Sequence, residues 1–232
     1  NAVVKTCETL KKKIIKKAAE YLSCGEDELE FTGKSVKRLT PVPEGSGFEN
    51  EISLLDIGNR AMCFNNEALQ ATESCTSPVS PPPFMVGMAE IEMDQETCDF
   101  ELVNYVAVVD CGTPINPALV RVQTEGGLGQ GIGMAMFEDV TRSEKGQVYE
   151  NSFMQYKLPS RVDVGNIRVE FESSYEDAGP FGAKSIGEVV INTPLPAVSD
   201  AIFNATGTRF YELPITPEKI AMAVAEREKE QA

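Results

Sequence analysis

Five glycines fall within the eight positions 126–133, in the run Glu125-Gly126-Gly127-Leu128-Gly129-Gln130-Gly131-Ile132-Gly133. The residues around them, roughly Ala118 to Phe137, carry a helical pattern. Each glycine disfavours a helix by roughly 1 kcal/mol relative to alanine, so something must offset several kcal/mol. Glycine lets a backbone approach another backbone or a bulky ligand closely. Two readings follow. Gly127/Gly131 and Gly129/Gly133 are i,i+4 pairs that would seat a second helix. Alternatively, a cofactor lies against the glycines and Gln130 offers it an amide. The run is not a dinucleotide fingerprint: the Gly-x-Gly-x-x-Gly spacing is missing and no clear strand leads straight into it.

A second segment, Gly179-Pro180-Phe181-Gly182-Ala183-Lys184-Ser185-Ile186-Gly187-Glu188, superficially resembles a phosphate loop. Lys184 follows alanine rather than glycine, so the nucleotide-triphosphate motif is absent. What remains is a flexible loop delivering one carboxylate, Glu188, beside Val189, Val190 and Ile191. Apolar neighbours disfavour the charged carboxylate and raise its proton affinity, which makes Glu188 a candidate general base. The competing reading is an exposed glutamate at a helix N-terminus.

Composition narrows the chemistry. The 232 residues include no histidine, which excludes Ser-His-Asp and Cys-His catalysis and histidine-ligated metals within the chain. No metal-ligating residues are assigned. With 21 Lys+Arg against 36 Asp+Glu, the net charge of −15 argues against nucleic-acid binding and against docking on an anionic membrane. No apolar run is long enough to span a bilayer, and the N-terminus lacks a signal-peptide pattern. The six cysteines, at 7, 24, 63, 75, 98 and 111, form no C-x-x-C pair. They read as free thiols in a reducing cytoplasm.

Residues 2–22 read as an amphipathic helix with Val4, Cys7, Leu10, Ile14, Ala18 and Leu22 on one face and a run of lysines mostly on the other. It begins almost at residue 1, with Asn1 as N-cap, and that abruptness points to a chain cut from something longer. Leu29 to Val36 is expected as a short strand or hairpin around Gly33, and Ile52 to Met62 as a short helix. Ser77 to Pro83, with four prolines, is the best division between two sub-domains. Phe84–Met93 and Glu101–Asp110 read as a hairpin, Ile167–Ser173 as a strand, and Glu188–Ala205 as a helix broken near Pro194 and Pro196 and stopped by Gly207. Thr216-Pro217-Glu218 opens a final helix. These elements indicate an α+β fold of antiparallel hairpins and helices.

In this order, five pieces resemble the molybdenum hydroxylases, the xanthine dehydrogenase and aldehyde oxidase family, in the C-terminal part of their molybdopterin-binding domain. They are Asp110–Pro117 (DCGTPINP), Glu125–Gly133 (EGGLGQGIG), Tyr156–Pro159 (YKLP), Gly182–Glu188 (GAKSIGE) and Leu213–Lys219 (LPITPEK). Asn1-Ala2-Val3 also resembles the start of a family helix, so the likeness covers essentially residues 1–232. The resemblance implies molybdenum-dependent hydroxylation of an N-heterocycle (xanthine, purine or nicotinate type) or an aldehyde. The family's base falls on Glu188 and its pterin-contacting glutamine on Gln130. Gly129 and Gly131 are expected beside the cofactor, with Lys184 and Ser185 lining the site. FAD and iron–sulfur clusters are expected on other domains or subunits.

Val189 and Val190 stand where family members often have prolines, a departure that touches substrate orientation rather than the base. The Ser/Thr/Ala-rich stretch and the other Gly-Gln-Gly loop of the family's cofactor region belong upstream. The expectation is therefore a fragment, or a subunit completed by a separate molybdopterin-binding chain, that alone does not hold molybdenum competently. Two readings stand beside the catalytic one. The chain could be a non-catalytic subunit or excised domain that keeps the fold, or an acidic α+β domain whose glycine helix only packs against a partner.

Overall fold

The computed structural model describes residues 1–77 and 79–231, and the chain divides into two compact units, Asn1–Pro78 and Val79–Ala232. The expected irregular stretch around the prolines carries no helix or strand at its described positions, and Pro78 itself lies outside the described residues.

The first unit opens with helix α1 (Ala2–Leu22), which buries Ala18, Ala19 and Leu22. Asn1 is the N-cap residue, without a side-chain cap bond. A three-stranded antiparallel sheet follows, β1 (Leu29–Phe31), β2 (Ser35–Arg38) and β3 (Glu51–Ser53), and then helix α2 (Leu54–Asn65). Leu29, Val36, Ile52 and Ile57 close this core against α1. The helix expected from Ile52 starts two residues later. Ile52 pairs with Val36 in the sheet, and the Ser53 hydroxyl accepts from the Asp56 amide at 3.1 Å, setting the helix N-terminus. The lysine face of α1 is used internally. Lys13 donates to the Gln70 carbonyl at 2.8 Å, and Lys17 bridges Glu20 and Glu67, both at 2.9 Å.

The second unit is built on strand β4 (Phe84–Met93) paired antiparallel with β5 (Phe100–Asp110). Asp94 makes the turn by accepting from the Glu96 and Thr97 amides, which hold its carboxyl below the usual range. Strand β6 (Asn166–Glu172) then joins β5 in parallel, where only hairpins were expected. A parallel neighbour needs a long crossover, and helix α3 (Pro117–Met136) lies within that connection. Asn116 caps α3 by accepting from the Leu119 amide at 3.2 Å, with Pro117 at the first helical position.

Two further helices, α4 (Val189–Asn192) and α5 (Pro194–Thr206), end at Gly207 in the left-handed conformation, and α6 (Pro217–Gln231) closes the chain. Tyr105, Ala107 and Val109 of β5, Leu128, Ile132 and Ala135 of α3, and Val198 and Ile202 of α5 share one core. All six cysteines are free, and no described helix is long and apolar enough to cross a membrane.

Candidate functional site

The glycines of α3 sort by face. A Cβ at Gly127 would collide with the Val190 side chain, whose own Cβ would lie 3.0 Å away. At Gly131 it would meet the Pro194 ring at 2.7 Å and the Ile191 carbonyl at 2.8 Å. This i,i+4 pair therefore seats α4 and the start of α5, as the helix-packing reading requires. Gly133 is buried against Pro159 and Glu138. At Gly126 and Gly129 an added Cβ would meet nothing within 4 Å.

The open face includes Gln130, one turn beyond Gly126. Across from it stands Glu188, the residue that precedes α4. Gln130, Gly126, Gln123, Gly187, Glu188 and Ile191 line one cleft of about 400 Å³. The two residues singled out in the sequence thus meet at one place. The Glu188 side chain is exposed and makes no capping bond. Its apolar neighbour Val190 is fully buried on Gly127, whereas Ile191 lines the cleft beside the carboxylate.

The other expected site residues do not join that cleft. Gly129 borders a separate hollow with Arg161 and Val164. Gly131 is buried under Pro194 rather than turned to a ligand. Ser185 is exposed outside the cleft. Lys184 lines a neighbouring, mostly apolar cleft of about 480 Å³ with Ile115, Leu119 and Ile186. Its ammonium is bound by Asp110 at 2.6 Å and lies 5.3 Å from the centre of the Phe84 ring. Asp110 also accepts from Ser174 at 2.5 Å and the Gly112 amide at 3.0 Å. The Lys184 ammonium and the Ser174 hydroxyl hold the Asp110 carboxyl down at about 2. Burial raises the Cys111 thiol beside it.

Gln123 was not singled out in the sequence. It borders both clefts, and its side-chain amide donates to the Gly187 carbonyl at 3.0 Å, directly before Glu188. Its spacing from Gly126 and Gln130 on one helix face was the available signal. Tyr105 was also missed: its buried hydroxyl bonds Thr193, between α4 and α5, at 2.9 Å. Among the described residues, no three Cys, Asp or Glu side chains converge as a metal-ligand set.

Comparison with known proteins shows the family and the fold. The model of the molybdopterin cofactor-binding domain matches residues 1–165, which include Gln130 but not Glu188. The probable hypoxanthine oxidase XdhD of Escherichia coli K12 is 30% identical over 226 residues, covering 97% of this chain and 23% of that protein. The 6-hydroxypseudooxynicotine dehydrogenase complex subunit gamma of Paenarthrobacter nicotinovorans is 32% identical over 212 residues, covering 88% of this chain and 26% of its own. The chain thus spans about a quarter of the length of these relatives. In fold it is similar to the crystal structure of the Cu,Mo-CO dehydrogenase, with a TM-score of 0.71 at 22% identity over 98% of this chain and 29% of the other. The aldehyde oxidoreductase from Desulfovibrio gigas aligns with a TM-score of 0.57 at 30% identity over 62% of this chain and 15% of its own. The α+β fold is that of the C-terminal portion of a molybdopterin-binding domain, and the chain belongs to the molybdopterin cofactor-binding family of the molybdenum hydroxylases.

Proposed function

We propose that this chain supplies the general base and one cofactor contact of a larger molybdenum hydroxylase acting on an N-heterocycle or an aldehyde. The supporting observation is the shared cleft, in which Glu188 faces the exposed Gln130 and the open backbone at Gly126. An uncluttered glycine surface beside a free carboxamide fits a bulky heterocycle with both donors and acceptors. When bound, molybdopterin supplies the redox centre for the oxidation. Gln130 holds the pterin by its amide. Glu188 accepts the proton that the attacking oxygen must lose. Gly127 and Gly131 act through packing, by letting Val190 and Ile191 approach and so setting where Glu188 stands.

The substrate class follows the relatives, whose names describe a probable hypoxanthine oxidase, a 6-hydroxypseudooxynicotine dehydrogenase and an aldehyde oxidoreductase. A larger assembly is supported by the outer face of the sheet. Phe84, Val86 and Met88 are 61, 63 and 58% exposed there, a contiguous apolar stripe of the kind that other protein covers. The remaining molybdopterin-binding polypeptide, iron–sulfur and FAD-bearing parts would complete the enzyme. The six free thiols fit a reducing, cytoplasmic setting.

The test is Glu188→Gln in the assembled enzyme. Turnover should fall by about 10²–10⁴-fold or more, the usual contribution of a general base, at unchanged molybdenum content. Turnover near that of the wild type would refute the assignment. Gln130→Ala should instead lower molybdenum content, whereas a chain that kept only the fold would merely lose stability.

A further inference from the structure

We infer that Lys184 and Asp110 form a positioning pair that clamps the Glu188 loop to the end of β5, an inference that rests on Glu188 being the base. Glu188 makes no side-chain capping bond of its own. Its place must therefore come from the backbone on either side.

On the far side, Val190 sits on Gly127, and Thr193 is bonded by the buried Tyr105 hydroxyl. On the near side, Gln123 holds the Gly187 carbonyl. Earlier in the loop, the Lys184 amide donates to the Cys111 carbonyl at 2.7 Å and the Thr113 amide to the Gly182 carbonyl at 2.8 Å. Gly112 and Ala183 form an antiparallel bridge between these bonds. An added Cβ at Gly112 would be 2.8 Å from the Lys184 nitrogen, so the two backbones are in close contact.

The ion pair locks this junction from the side-chain direction. The Lys184 and Asp110 side chains are only 8 and 22% exposed, and Asp110 is satisfied further by Ser174 and Gly112. Stability alone gives little reason for charge here, since apolar side chains of similar volume commonly replace a buried ion pair without loss. What a short, charge-assisted bond adds is a fixed geometry. Three residues separate Lys184 from Glu188, so a shift at the clamp is passed on within a short reach of chain. Lys184 thus acts through Glu188 rather than on cofactor or substrate.

The experiment uses the assembled enzyme with activity expressed per molybdenum. Lys184→Met and Asp110→Asn should each lower kcat by about 10²-fold, the scale of a misplacement near 1 Å, with KM unchanged. Lys184→Arg, which keeps the charge, should restore most of the loss. Hydrogen exchange at the Thr113 and Lys184 amides should accelerate in the two neutral variants, recover in Lys184→Arg, and stay normal in Glu188→Gln. Wild-type kcat in Asp110→Asn, which keeps the side-chain size and carries the test if Lys184→Met fails to assemble, overturns the inference. Lost kcat with unaltered exchange also overturns it, because Lys184 would then act directly. Turnover retained in Glu188→Gln defeats the base reading, whereas turnover lost there but normal in Asp110→Asn defeats the positioning pair alone.

Discussion

Replacing single glycines of α3 by alanine separates the packing glycines from the open ones. Any Gly→Ala change in a helix interior gains roughly 1 kcal/mol of propensity. At Gly126 nothing opposes that gain, because a Cβ there meets no atom within 4 Å. Gly126→Ala should therefore stabilise the chain by about 1 kcal/mol. At Gly131 the same Cβ would lie 2.7 Å from the Pro194 ring and 2.8 Å from the Ile191 carbonyl oxygen. Neither can rotate away, so the backbones of α3 and α4 must separate, at about 1–3 kcal/mol for overpacking. The propensity gain offsets part of this, leaving Gly131→Ala neutral to about 2 kcal/mol destabilised. The two variants should thus differ by about 1–3 kcal/mol, or several degrees in Tm for a unit of this size. The chain has no tryptophan, so urea unfolding followed by circular dichroism at 222 nm is the suitable assay. Gly131→Ala equal to or more stable than Gly126→Ala would refute the packing argument. In the assembled enzyme the order of interest reverses, since Gly126→Ala adds a methyl beside Gln130 and should lower molybdenum content.

Three further outcomes can be checked on the same chain. Tyr105→Phe removes the bond to Thr193 and leaves a partly buried hydroxyl without that partner, so it should cost about 1 kcal/mol in urea unfolding. Ile57→Ala empties a fully buried position of the first unit and should cost about 2–5 kcal/mol. Asp110 has a carboxyl depressed to about 2, so its contribution is complete above the unfolded value near 4 and is lost as pH falls through 2. With solvent screening the contribution is on the order of 1 kcal/mol. Asp110→Asn should therefore lower stability at pH 7 and flatten its fall between pH 4 and 2, measured as the urea midpoint against pH. An unchanged pH slope would show that the Lys184 pair carries no linkage.

Local signals were legible where a single element decides its own form. The three- and four-residue spacing of apolar residues gave α1 its full length, Ala2–Leu22, and Gly207 stops α5 in the left-handed conformation as expected. The Phe84–Met93 hairpin arm was readable because its residues alternate between the core and solvent. What escaped depends on distant partners. Ile52 and Ser53 of β3 look like the front of a helix until Ile52 is paired with Val36. The direction of β6 is set by the crossover through α3, which leaves no mark in Asn166–Glu172. Lys184 was expected at the cofactor, but its ammonium meets a carboxylate 74 positions earlier in the chain.

The glycine run shows why its two readings could not be separated by sequence and need not compete. A helix repeats its faces every three or four residues, so one glycine-rich stretch can place Gly127 and Gly131 on one face and Gly126 with Gln130 on another. Packing uses the first face. It draws Val190 into the groove at Gly127 until the valine is fully buried. That same contact fixes the residue two positions earlier, Glu188, opposite the second face. Val190 is thus turned inward and anchors the backbone that carries Glu188. Placement of the proposed base is therefore a consequence of how α3 packs on α4, so the packing face and the open face of one glycine run serve the same site.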